Sequence, residues 1–210
     1  TFNIDVAQLE AKITDKTKAI FVVHLFGIPA DMDRIMSIAN KHDLLVFEDC
    51  AQSPLATYKG KLVGTMGHVS GFSLTESKHI MSGEGGVAIT DNELINNGVR
   101  IVRNHGEVKD TANTEEENYT HNTLATSGLI GFNFRMTELT AALAESQWKK
   151  LPEVLDRKHQ LVNYLHSNLS RFSFIEMMKP DYECSPSWYS LPLRFKSENL
   201  GISRSRFVEA

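Results

Sequence analysis

The feature that most constrains this chain is an alternation near its start: a short apolar run, an amphipathic stretch, then a second short apolar run. Ala19-Ile20-Phe21-Val22-Val23-His24 is rich in β-branched and aromatic residues and stops at Gly27 and Pro29, which predicts a buried strand ending in a turn. Asp31 to His42 then places Met32, Ile35, Met36 and Ala39 on one face at helical spacing, and Leu44-Leu45-Val46-Phe47 is again compact and apolar. Strand, helix, strand, with runs too continuous for a half-exposed sheet, predicts the α/β class: a mostly parallel sheet covered by helices on both faces. Ligands of such sheets sit at the carboxyl ends of the strands, so polar residues there carry the most functional weight.

The second run ends in Glu48-Asp49-Cys50-Ala51-Gln52, and a glycine-rich stretch through Tyr58, Gly60, Gly64 and Gly67 leads to a third strand, Val69 to Leu74. Its far end carries Ser73, Ser77 and Lys78. Gly83-Glu84-Gly85-Gly86 predicts a turn, Val87 to Thr90 a further strand, and Asn92 to Arg103 a helix. Met136 to Leu169 is helical in pattern almost throughout, with Pro152 read as a break or a helix start. The polar stretch Asp110 to Thr126 predicts an exposed loop. In the tail, Tyr189, Leu191, Leu193 and Phe195 alternate as a strand of a second, smaller domain would. The expected division is a large domain over 1–150 and, over 151–210, a linker helix with the start of a small α+β domain.

A net charge of −4, mixed in sign along the chain, gives no electrostatic footprint for nucleic acid or an acidic membrane surface. No apolar run is long enough to span a bilayer. Cys50 and Cys184 are far apart, and 210 residues can bury a core without a staple, so no disulfide and a reducing cytoplasm are expected. Thr1 in place of an initiator Met, and an end inside a starting helix, are read as the marks of a fragment.

A carboxylate at one strand end, Asp49, and a lysine at the end of the next, Lys78, would share one rim of the sheet. That pairing suits pyridoxal phosphate, which needs a lysine for its aldehyde and a carboxylate to keep its ring nitrogen protonated. Ser73 and the glycine turn at 83–86 lie where hydroxyls and free N–H groups could meet a phosphate. By spacing alone the alternatives stay open: a solvated surface lysine, a turn aspartate, or another α/β nucleotide enzyme. His24, His79 and His105 read as core or hydrogen-bonded histidines without metal-ligand spacing.

Seven blocks taken in order narrow this. Pro29-Ala30-Asp31-Met32-Asp33, Glu48-Asp49-Cys50-Ala51-Gln52-Ser53, Tyr58-Lys59-Gly60 with Val63-Gly64, Phe72-Ser73 followed by Lys78, Gly83-Glu84-Gly85-Gly86, Arg103-Asn104-His105-Gly106 and Gly131 to Met136 resemble the DegT/StrS-type sugar-nucleotide aminotransferases. The resemblance runs from about Thr1 to about Leu169. It implies a fold-type I pyridoxal-phosphate enzyme, a cytoplasmic homodimer with shared active sites, and an amino group moved from glutamate to a keto-sugar on a nucleotide, as in amino-sugar and lipopolysaccharide biosynthesis. Carried over position by position, it implies Lys78 as the lysine that bonds the cofactor and Asp49 as the partner of the ring nitrogen. Gln52 becomes the residue against the ring, Ser73 a phosphate-binding hydroxyl, and Asn133 an asparagine reaching the phosphate in the neighbouring subunit. Arg135 stays outside the set, as either an anion contact or a salt bridge. Two other roles belong to the same scaffold. One is a sugar dehydratase, whose members carry histidine where Lys78 stands, although His79 adjoins it. The other is a cofactor-binding regulatory domain without turnover.

Overall fold

A computed structural model describes residues 2–107 and 130–209, so the loop expected over Asp110 to Thr126 lies outside the described residues. Helix α1 (Val6–Leu9) is capped by Asp5, whose side chain accepts from the Ala7 N–H. It leads to strand β1 (Ala19–Val23), helix α2 (Met32–Lys41) and strand β2 (Leu45–Asp49). Asp31 caps α2 by accepting from the Arg34 N–H. The short strands β3 (Thr57–Tyr58) and β4 (Lys61–Leu62) follow, then β5 (Val69–Ser73), β6 (Gly86–Ile89) and helix α3 (Glu93–Arg103). Helix α4 (Glu138–Leu169), strands β7 (Ile175–Met177), β8 (Cys184–Ser185) and β9 (Leu193–Phe195), and helices α5 (Ser197–Leu200) and α6 (Arg204–Glu209) complete the order.

The main sheet runs β1-β2-β5-β6. Its first two pairings are parallel, in the register Val23–Asp49–Gly71, and β6 returns antiparallel to β5. The mostly parallel sheet expected from the sequence is therefore present, with an antiparallel edge. Along β1 and β2 one face carries Ile20, Val22, Val46 and Glu48, all buried, and packs on Met32, Ile35 and Ala39 of α2. Burying a side chain such as Met32 or Ile35 contributes about 1.5–3 kcal/mol.

The other face is open among the described residues. Phe21 and Leu45 are 58% and 49% exposed, and Phe21 stacks on Phe47 at 4.7 Å with no helix over them among the described residues. The apolar runs do continue through both faces, as predicted, but α3 and α4 do not close the second one. Buried residues of α4, Leu151 and Leu155, pack instead against Leu74 and Ile80 beyond the end of β5.

Two further expectations are corrected. Pro152 neither breaks nor starts a helix, because α4 runs through it for 32 residues. A proline inside a helix removes one hydrogen bond and costs about 3 kcal/mol, and the packing of Leu151 and Leu155 on either side of it holds the helix in spite of that cost. The alternating tail is not one strand: Cys184–Ser185 pairs with β3, Leu193–Phe195 with β7, and Tyr189 and Leu191 lie in the irregular stretch between. The hydrogen-bonding partners there are loop carbonyls and side chains, which alternation cannot reveal. No helix among the described residues is long and apolar enough to cross a membrane.

Candidate cofactor site

Strand alternation separates the two acids at the end of β2. Glu48 points to the covered face and is fully buried, while Asp49, one residue on, shares the open face with Phe47. Glu48 Oε2 accepts from the Gly64 N–H at 2.7 Å and from His24 Nε2 at 3.1 Å, and its Oε1 accepts from the N–H groups of Met66 and Gly67. His24 Nδ1 accepts from the Ala30 N–H at 3.0 Å, so the ring proton is assigned to Nε2. Burial alone would raise the Glu48 carboxyl, but His24 and the three backbone N–H groups outweigh it and hold the group below its ordinary 4.5. Cys50 brings its sulfur near the same pair, within 4.8 Å. Both imidazole nitrogens and both carboxylate oxygens are already spent on protein hydrogen bonds, and burial pushes the thiol well above its ordinary range. His24 and Glu48 form a hydrogen-bonded strut in which neither side chain keeps a free lone pair for an ion.

Asp49 is presented differently. It is half-buried, and its Oδ1 accepts from the Ala51 N–H at 3.0 Å. No cation pairs with it among the described residues. Ser73 ends β5 on the same face as Gly71, the register partner of Asp49. Its hydroxyl lies 3.2 Å from Thr75 Oγ1 and accepts from the Thr75 N–H at 3.3 Å, shaping the first turn of the loop to β6. Lys78 follows on that turn, its N–H donating to the Thr75 carbonyl at 3.0 Å. The Lys78 amine makes no ion pair among the described residues and sits 4.7 Å from the centre of the Tyr189 ring. Gln52 turns its Oε1 to the Phe26 N–H at 2.6 Å, which leaves its amide NH2 for a further acceptor.

The rim of β2 and β5 thus holds a carboxylate and an amine that make no ion pair among the described residues, both half-buried. A group bringing a protonated ring nitrogen and an electrophile would match both charges, so the residues fit pyridoxal phosphate. Asn133 stands apart from the other four: it is exposed, and its backbone bridges to Asn104, whose side chain accepts from Arg135 Nη1 at 2.7 Å. A shallow depression lined by Thr14, Thr17, Lys18, His42 and Leu44 lies at the opposite, amino-terminal rim of the strands, away from this site.

Sequence reasoning missed Tyr189. Ser77, the neighbour of Lys78, meets it 112 positions away, a separation at which no local pattern carries a signal. The role of Glu48 was equally unmarked, although its place beside Asp49 on an alternating strand was a signal that the two acids face opposite ways.

The whole chain, residues 1–210, matches the family model described as the DegT/DnrJ/EryC1/StrS aminotransferase family. A GDP-perosamine synthase of Caulobacter vibrioides is 37% identical over 171 residues, 81% of this chain and 43% of that protein. An aminotransferase of Psychrobacter cryohalolentis superposes with a TM-score of 0.84 at 32% identity, over 99% of this chain and 55% of that one. A GDP-4-keto-6-deoxymannose-3-dehydratase with a trapped PLP-glutamate geminal diamine superposes with a TM-score of 0.85 at 30% identity, over 100% of this chain and 55% of that one. The architecture is that of the fold-type I pyridoxal-phosphate enzymes, and the chain spans about half the length of the relatives it matches.

Proposed function

The chain belongs to the DegT/DnrJ/EryC1/StrS aminotransferase family, and on that premise we propose that it forms the cofactor-holding part of an enzyme that moves an amino group from glutamate to a keto-sugar carried on a nucleotide. The observation that carries this reading is the Asp49 carboxylate and Lys78 amine on one half-buried rim, neither in an ion pair among the described residues. Residues 1–150 are read as the cofactor domain and 151–210 as the linker and first part of a small domain, with α4 passing from one to the other. The site is completed in a homodimer, where Asn133 serves the neighbouring copy.

When bound, pyridoxal phosphate supplies an electrophilic aldehyde and a ring that accepts electrons. Asp49 would accept a charge-assisted hydrogen bond from the ring N–H and so would hold the proton there. The NH2 of Gln52 would donate to a ring oxygen, its orientation set by the bond from Phe26 to its Oε1. The Ser73 hydroxyl and N–H groups of the glycine turn at 83–86 would hold the phosphate. Lys78 Nζ would hold the cofactor's aldehyde carbon and, as a free amine, would carry a proton to and from the substrate carbon.

The presence of Lys78 favours amino transfer over deoxygenation. His79 is an unsuitable substitute for it: its Nε2 donates to the Ser187 carbonyl at 2.8 Å, and burial, with the charges of Lys158 and Lys78 nearby, lowers it to about 4.

The test is borohydride reduction of the protein with pyridoxal phosphate, with the attachment site read by mass spectrometry, beside glutamate conversion in Lys78→Ala. Attachment at Lys78, and a loss of turnover of at least about 10²–10⁴-fold in the variant, are expected. Cofactor bound but never converted would favour a regulatory domain, and a deoxygenated sugar without amine a dehydratase. Attachment elsewhere overturns the assignment.

A further inference from the structure

The stretch from Pro186 to Tyr189 is held far more tightly than an irregular loop requires. Three successive carbonyls each accept a side-chain hydrogen bond: Pro186 from His159 Nε2 at 2.6 Å, Ser187 from His79 Nε2 at 2.8 Å, and Trp188 from Lys158 Nζ at 3.0 Å. The Ser187 N–H donates to the Gly27 carbonyl and the Tyr189 N–H to the Phe26 carbonyl, both at 2.9 Å. The Ser187 hydroxyl donates to the Gln52 carbonyl at 3.1 Å. Trp188 takes a left-handed φ of 52° within this strap, a conformation that persists in a non-glycine residue only when its surroundings over-determine it. Gly27 lies directly beneath: a Cβ there would come within 2.7 Å of the Ser187 hydroxyl.

The outcome of these bonds is the placement of one ring. Tyr189 presents its face to Lys78, with the amine 4.7 Å from the ring centre, and its hydroxyl is 3.4 Å from Ser77 Oγ. An ammonium within about 6 Å of an aromatic face is attracted by the ring quadrupole. His79, 6.0 Å from the same ring, is held neutral by burial and brings no competing cation. Lys158 is held on the Trp188 carbonyl.

We propose that Tyr189 is a positioning residue for Lys78: its ring face is the dock that receives the lysine ammonium whenever the amine is not bonded to the cofactor, and the 186–189 strap fixes that dock. The consequence rests on the function proposed above. A lysine that leaves the cofactor and must return carries a flexible four-carbon stem, and the ring keeps its charged end at the rim instead of in solvent. The strap also joins α4, through Lys158 and His159, to the loop that bears the lysine.

Competitive acylation of the full protein without cofactor tests this, reading by mass spectrometry the rate at Lys78 relative to exposed Lys12 at constant pH. Tyr189→Leu and Tyr189→Met, which remove the face, should speed Lys78 by about two- to five-fold, and Tyr189→Phe should keep the wild-type ratio. Lys158 reports the strap and should stay slow in all three variants. An unchanged ratio in both Leu and Met variants overturns the proposal, and so does a Phe variant as fast as Leu, which would assign the effect to the hydroxyl. Borohydride fixation of pyridoxal phosphate on Lys78 is measured separately, so a failure of the cofactor reading shows there and not in the labelling ratio.

Discussion

Replacing Glu48 by Gln changes one atom in a site with no room to compensate. The carboxylate accepts from four donors, two on each oxygen, and is fully buried. An amide keeps one accepting oxygen and turns an NH2 toward the other pair. If the NH2 takes the place of Oε2, it meets the Gly64 N–H and the His24 Nε2–H. His24 cannot escape by moving its proton to Nδ1, because that nitrogen accepts from Ala30. If the NH2 takes the place of Oε1, it meets the N–H groups of Met66 and Gly67. Two buried donors lose their acceptor either way, at about 1–3 kcal/mol each. A loss of about 2–6 kcal/mol is expected, a large part of an ordinary folding stability of about 5–15 kcal/mol. Urea unfolding at neutral pH measures it.

The pH dependence supplies an independent check with a defined sign. The folded carboxyl lies below its ordinary 4.5. Its stabilisation is therefore fully present above that value and is lost as the pH falls through the lower, folded one. The gap between wild type and Glu48→Gln should hold steady above pH 4.5 and narrow below it. A variant within about 1 kcal/mol of wild type at neutral pH, or a gap that widens in acid, would refute the four-donor account.

Two other perturbations test the packing. Gly64 has a φ of +85°, and an added Cβ would lie 2.7 Å from the Phe72 ring and 3.1 Å from the Cys50 sulfur; Gly64→Ala should cost about 2–4 kcal/mol from strain and overpacking together, read as a lower urea midpoint. Pro152 lies inside α4 beside buried Leu151; Pro152→Ala restores a helical hydrogen bond and should raise the melting temperature by the equivalent of about 1–3 kcal/mol, whereas an unchanged melting temperature would mean that the proline carries no strain.

Much of the fold was legible because it is written in short-range patterns. The β-branched runs at 19–24 and 44–47, the capped helix after Asp31, and the helix after Asn92 depend on periodicity and capping within a few residues, and each was found close to its place. Asp49, Ser73 and Lys78 were legible as members of one rim for the same reason: strand ends in a parallel sheet fall on one side whatever the packing. Tertiary structure decided the rest. The strain at Pro152 is offset by Leu151 and Leu155, which meet residues of another loop. Apolar content alone cannot tell which face a helix will take, and α2 covers the one that carries Ile20, Val22 and Val46. The ring under Lys78 comes from a segment whose alternation pointed to a strand. What holds it are carbonyls and side chains brought together from the turn after β1, the loop after β5 and α4. Periodicity encodes which face of an element is apolar, but the partner of a polar group is fixed only when distant segments are folded against each other.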